Sequence, residues 1–255
     1  MRALIFKDIM LSLKKDFFIP ASYTDANAEL TLFGALTLIQ DIAAEHAEKM
    51  GIGFHDLKEK SGGFWVIAKT KLQFLRTPKL YEDIVLETWP QKPAGIVSTR
   101  NYLVTSKGGE PLFCAKIDWV IIDAATHKLM RLTDTCYPKE AEYIDKSALP
   151  ERYIKMDYIP SSADYRYTHR VRFSDTDHVG HTNNIAYSKI LLDAFPVSYF
   201  KENRITDFDI KYIHESKEGD DLCVYVKQTL ESVFLHISTP DGTPIVSAVM
   251  KTVKR

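Results

Sequence analysis

Two stretches of the chain carry apolar residues at the three-and-four spacing of a helix with one buried side. Each is followed by stretches in which apolar and polar positions alternate. Leu32, Leu36, Ile39, Ala43 and Ala47 share a face, which predicts a helix over 32–50 with Gly51 as its stop. Tyr187, Ile190, Leu191, Ala194 and Phe195 share another, which predicts a helix over 183–200. A strand over 15–23 and a turn at 24–27 precede the first helix. After Gly62 and Gly63 the period drops to two, with Ala68, Thr70, Leu72 and Phe74 alternating with Lys69, Lys71, Gln73 and Leu75. Further strands are expected at 83–89, 97–105 and 112–122, separated by Pro90, Pro93, Gly108 and Gly109. Residues 134–164 carry Pro138, Pro150 and Pro160, mixed charge and little periodicity, the pattern of a linker. Beyond it the order returns: a strand over 164–173, a turn, the second helix, and strands at 207–214, 221–229, 233–238 and 244–251.

That recurrence has residue-level support. Tyr23, Thr24 and Asp25 lie over Phe173, Ser174 and Asp175, which puts Asn27 over Asp177 and Thr31 over His181. In the strands, Leu72, Phe74, Lys79 and Asp83 lie over Ile210, Tyr212, Lys217 and Asp221, which puts Thr77 over Glu215. In this register the ionisable set Asp177, His181 and Glu215 occurs once, so one half would carry chemistry and the other would shape a pocket. A long helix followed by several antiparallel strands, twice, suggests two α+β units whose sheets wrap their helices.

The composition of the 255 residues is that of an ordinary globular protein, and a net charge of -1 points to neither nucleic acid nor membrane surfaces. Cys114, Cys136 and Cys223 are odd in number and far apart, so neither a disulfide framework nor a metal site is expected and a reducing compartment fits. The first residues are broken by charges and make a poor signal peptide, and no apolar run reaches spanning length; a cytoplasmic protein is expected. Lys69, Lys71, Lys79 and Lys211 are read as solvated strand faces, with a patch for an acidic partner as a minor alternative.

The candidate chemistry lies at the entrance of the second helix. Thr182 or Asn183 can cap it, and its first-turn N–H groups carry the positive end of the helix dipole, suited to a carbonyl oxygen gaining negative charge. Asp177 and His181 on the turn are a candidate base and its partner, although an aspartate there also serves turn geometry and a histidine can be structural. His178 and His214 are read as structural or exposed.

The stretch RFSDTDHVGHTNNIAY at 172–187, followed by LLDAFP, resembles the motif region of the acyl-acyl-carrier-protein thioesterases of plant plastids and bacteria. Tyr212, Glu215 and Ser216 resemble that family's downstream Tyr-x-x-Glu-Cys, and GFWVIAKTKLQFLRTPKLYEDIVLETWP at 63–90 resembles its first-half strands. The likeness runs over nearly the whole chain. It implies an α+β tandem (double) hot-dog, two antiparallel sheets each wrapping a long helix. The divisions implied are 1–135 for an acyl-pocket half, 136–163 for a linker and 164–255 for a catalytic half. It also implies hydrolysis of fatty acyl-acyl-carrier-protein, with acyl carrier protein as the partner that delivers substrate and with no cofactor and no metal; a homodimer stays open. Asp177, His181 and Glu215 become the catalytic candidates, Asn183 and Asn184 the oxyanion or positioning candidates, and Leu36, Ile39 and Ala43 candidates for the acyl pocket wall. Water activated by a base, and an aspartate nucleophile forming an anhydride, are both compatible. An acyl-coenzyme A thioesterase, a hot-dog dehydratase and a non-catalytic acyl-binding protein are the alternatives. Two positions depart from the pattern: Val179 stands where the family has asparagine, and Ser216 where it often has cysteine.

Overall fold

The computed structural model describes residues 11–138 and 142–255. The first half builds β1 (Leu13–Phe18), α1 (Leu32–Lys49), α2 (Phe54–Ser61), β2 (Gly63–Phe74), β3 (Asp83–Pro90), β4 (Ser98–Ser106), β5 (Pro111–Asp123) and a short β6 (Leu129–Met130). The second builds β7 (Tyr165–Arg170), α3 (Asn184–Leu192), α4 (Val197–Glu202), β8 (Asn203–Tyr212), β9 (Asp221–Gln228), β10 (Val233–Ser238) and β11 (Pro244–Lys254). The α1 helix starts where Thr31 Oγ1 accepts the Gly34 N–H at 3.0 Å and stops before Gly51, as its periodicity predicts.

Each half folds its strands around its own helix in the same order, β1-β3-β4-β5-β2 in the first and β7-β9-β10-β11-β8 in the second. The two sheets expected from the sequence are joined edge to edge into one, because β2 pairs antiparallel with β8. Apolar residues of alternate strand positions, among them Leu72, Ile84, Leu86, Tyr102, Phe208, Ile210 and Leu235, pack with α1 and α3 into one core.

At the seam Lys71 faces Asp209, and these two residues are each other's counterparts in the repeat. A pseudo-two-fold axis therefore passes between them. Lys71 Nζ lies 3.0 Å and 3.2 Å from the two carboxylate oxygens, and the Ile154 N–H donates to the same carboxylate at 2.6 Å. Both side chains point away from the helices, onto the face crossed by the segment between the halves. That segment is tied down along its path: the Ala148 N–H donates to Asn101 Oδ1 at 3.0 Å, and Trp89 Nε1 donates to the Lys146 carbonyl at 2.8 Å. Lys71 is thus buried and paired, against the expectation of a solvated strand face.

Three further expectations are corrected. The helix expected over 183–200 is two helices, because Pro196 lacks an N–H and disfavours helical geometry in the residue before it; Pro196 caps α4 instead. The α2 helix was not expected: among its residues only Leu57 is buried, so it shows no apolar period. The repeat register holds in the strands but slips by two residues in the turns. The Glu29 bridge to Lys79 matches the His181 bridge to Lys217, and the Leu30 N–H to Pro78 oxygen bond matches Thr182 to Ser216. Asp25, Asn27, Glu29 and Thr31 therefore stand at the places of Asp177, Val179, His181 and Asn183, and Thr77 keeps its place opposite Glu215. The acids are consequently not confined to one half.

Candidate active site

The turn feeding α3 is built by Asp177. Its Oδ1 accepts the Val179 N–H at 2.9 Å and the His181 N–H at 3.3 Å, and its own N–H donates to the His181 carbonyl at 2.9 Å. Gly180, at φ +84, closes the loop; Ala28 occupies the same place in the first half at φ +57, where a side chain is strained. The first-half turn repeats these bonds through Asp25 Oδ1, to the Asn27 and Glu29 N–H groups at 2.8 Å and 3.2 Å.

His181 Nδ1 lies 3.4 Å from Glu215 Oε2, so the turn and the segment that follows β8 do bring this expected pair together, on the solvent side with side chains 35% and 61% exposed. Ser216, next to Glu215, is buried and holds the construction. Its Oγ lies 2.7 Å from Thr182 Oγ1 and 2.8 Å from the Tyr187 hydroxyl, and its N–H donates to that hydroxyl at 3.1 Å. Burial raises the Tyr187 phenol, opposed by the bond with Ser216. Ser216 thus stitches the Glu215 segment to the helix entrance. Ser216→Ala is expected to cost about 1–3 kcal/mol by leaving buried hydroxyls unpaired, read as a shift in the denaturation midpoint.

A cavity of about 210 Å³ opens beside this turn. Asp177, His178, Val179 and Asn184 form its wall on the second-half side; the facing wall comes from α1 through Ala43, Ala44 and Ala47, and from Phe54, Trp65 and Trp119. Of the trio, Asp177 is the member on the wall, while His181 and Glu215 do not line it. The helix entrance divides its two asparagines. Asn183 is committed, since its Oδ1 accepts the Ile185 N–H at 2.8 Å and its own N–H donates to the Asp175 carbonyl at 2.8 Å. Asn184, whose first-turn N–H has no acceptor within the helix, lines the cavity. Of the expected pocket residues Ala43 lies on the wall, whereas Leu36 and Ile39, on the same stripe of α1 but one to two turns nearer its start, are buried in the core.

Several lining residues escaped the sequence reading. His178 meets Phe54 edge to face, with ring centres 4.8 Å apart. Trp65 Nε1 donates to the Ile52 carbonyl at 2.8 Å, which fixes the indole against Trp119 and Tyr137. Arg100 is buried, and its Nη1 donates to His46 Nδ1 at 2.7 Å. Burial lowers the Arg100 guanidinium and raises the Tyr137 phenol, whose hydroxyl lies 2.9 Å from Ser98 Oγ. The cavity is therefore mostly aromatic and aliphatic, with polar groups at Arg100, Ser98 and Tyr137 and, from α1, at Gln40 and Glu48. None of the three cysteines lines it. Among the described residues no group of three or more His, Cys, Asp or Glu side chains is placed to hold a metal ion.

Two helix-wrapping sheets in one chain, with a cavity shared between one half's helix entrance and the other half's helix, define a tandem hot-dog protein. The chain belongs to the acyl-ACP thioesterase family: that family's N-terminal domain matches residues 11–139 and its C-terminal domain residues 159–248. The oleoyl-acyl carrier protein thioesterase 2 of Arabidopsis thaliana is 23% identical, over 82% of this chain and 61% of its own length. The dodecanoyl-[acyl-carrier-protein] hydrolase of Cinnamomum camphora is 25% identical, over 91% of this chain and 60% of its own. The chain thus spans about three fifths of the length of these curated relatives. In fold, the crystal structure of an acyl-ACP thioesterase from Bacteroides thetaiotaomicron superposes with a TM-score of 0.81 at 22% identity, covering 97% of this chain and 99% of that one.

Proposed function

We propose that the protein hydrolyses fatty acyl-acyl-carrier-protein, releasing free fatty acid and the carrier thiol. The observation that carries this reading is the cavity: a largely apolar slot with Asp177 and Asn184, at the entrance of α3, on its wall. The acyl chain lies along Ala43, Ala47 and Trp65, which places the thioester carbonyl at the mouth. Its oxygen, gaining negative charge as the tetrahedral intermediate forms, is held by the Asn184 N–H and the helix dipole, a contribution of about 3–4 kcal/mol by analogy with known oxyanion holes. Asp177 takes the proton of the attacking water. The departing thiolate leaves on the solvent side, where His181 returns a proton to it and Glu215 orients the imidazole. The first half supplies most of the acyl wall and the second half the reacting groups.

Val179 bears on this directly. At its place in the first half stands Asn27, whose Nδ2 donates to Asp25 Oδ2 at 3.4 Å. A valine cannot make that bond and leaves the second oxygen of Asp177 open for water.

Incubating the purified protein with acyl-carrier-protein and with acyl-coenzyme A of equal chain length, and following free thiol, tests the reading. Release from the carrier-bound substrate supports it. Release from the coenzyme alone makes the protein an acyl-coenzyme A thioesterase, and release from neither makes it a binding protein. A related expectation concerns Ala47, which is half-buried on the cavity wall. Ala47→Phe is expected to lower kcat/KM for the longest accepted chain by about 10–200-fold and to shift released acids toward shorter chains, measured by chromatography of the products.

A further inference from the structure

The pseudo-two-fold axis relates the active-site cavity to a second one, of about 270 Å³, beside the first-half turn. Its walls are the counterparts of those already described: the Asp25 turn and the entrance of α1 on one side, and the end of α3 with α4 on the other. Its lining differs in chemistry. Phe33, Leu192, Phe195 and Phe200 make it apolar, and Arg204 and Arg255 add two guanidinium groups.

Two polar groups in this cavity have no partner among the described residues. Thr77 is only 7% exposed, and its Oγ1 is buried without a hydrogen bond. Arg204 Nη1 is likewise buried and unpaired. Both are donors, and a buried donor left unmade, above all a cationic one, is costly. Three acids are near: Asp193 on the wall, whose carboxyl is raised by burial and which bonds neither orphaned donor, and Asp25 and Glu29. Asp25 Oδ1 is held by two N–H groups of its own turn, and Glu29 accepts from Arg255 Nη1 at 2.7 Å. No acid of the wall therefore accepts from Thr77 Oγ1 or Arg204 Nη1, and both donors stand beside an apolar slot. Its volume falls just below the range of about 300–1,000 Å³ common for ligand pockets, which limits the length of a tail.

We infer that this cavity is a binding site for an aliphatic monocarboxylate of medium chain length, a free fatty acid, with its carboxylate on Arg204 Nη1 and the Thr77 hydroxyl and its tail among Phe33, Leu192 and Phe195. An Arg–carboxylate bond with a hydroxyl donor alongside satisfies both orphaned groups at once. The site is separate from the cavity at Asp177 and does not require hydrolysis.

The test is carbon-13 NMR of decanoate labelled at the carboxyl, titrated into the full chain, with binding read independently of turnover. The wild type should show bound decanoate that Arg204→Gln weakens at least tenfold and that Thr77→Val, which keeps the packing, weakens as well. 1-Decanol, which lacks the carboxylate, should not displace it. Turnover of carrier-bound substrate without added acid should be unchanged in both variants. Equal binding by Arg204→Gln and wild type overturns the assignment, as does displacement by decanol. So does binding that survives both variants and is lost in Ala47→Phe, which would place all the decanoate in the catalytic cavity.

Discussion

Replacing Asp177 by asparagine is expected to lower turnover of an acyl-acyl-carrier-protein substrate by about 10²–10⁴-fold, the range of a lost general base, while leaving the fold intact. The two effects separate because the side chain has two tasks. Its Oδ1 holds the turn by accepting two N–H groups, and an asparagine oxygen accepts them equally well. The residue also lines the cavity, where asparagine brings no negative charge. Thermal denaturation should therefore be little changed while kcat falls. Val179→Asn is the informative companion. It should change turnover by less than about tenfold, since it adds one hydrogen bond from an uncharged amide to a carboxylate that keeps its charge. A nearly silent Asp177→Asn would make Asp177 a turn residue and move the base to His181 and Glu215.

Asp209→Ala is expected to destabilise the protein by about 3–5 kcal/mol, because it leaves the Lys71 ammonium buried without its counter-charge and the Ile154 N–H without its acceptor. Urea denaturation reads this directly. The site on the axis explains why the loss is large. In a symmetric pair of identical units the residue at this position would face its own copy, lysine on lysine or aspartate on aspartate, and repel it. In a tandem chain the two positions vary separately, so opposite charges meet. Replacing both partners, Lys71→Met with Asp209→Leu, should recover most of the loss, since an apolar pair of similar volume avoids the desolvation cost of buried ions. A double-mutant cycle gives the coupling between them. Additive single effects would mean that the pair does not hold the seam.

Much of this protein is legible without coordinates. The long helix α1, the strand series and the helix entrance at Asn183 follow from periods of three-and-four and of two, which report contacts one turn or two residues away. The strand match that set Thr77 opposite Glu215 is of the same kind, since alternation preserves register along a strand. The turn match slipped by two residues because those segments share no period; their equivalence lies in backbone hydrogen bonds that pair Asp25 with Asp177 and Glu29 with His181. What the tertiary structure alone decided depends on segments distant in sequence. Lys71 reads as a surface residue from its own strand and is buried because β8 and the segment near Ile154 close over it. Arg100, Trp65 and Tyr137 become cavity residues through sheet pairing and the path of the chain past β4. Asn183 and Asn184 are equivalent as letters, yet one bond to the Asp175 carbonyl across the turn occupies the first and leaves the second at the cavity. Local pattern sets which face of each element is apolar; only the pairing of distant strands and helices sets which of those faces encloses a space.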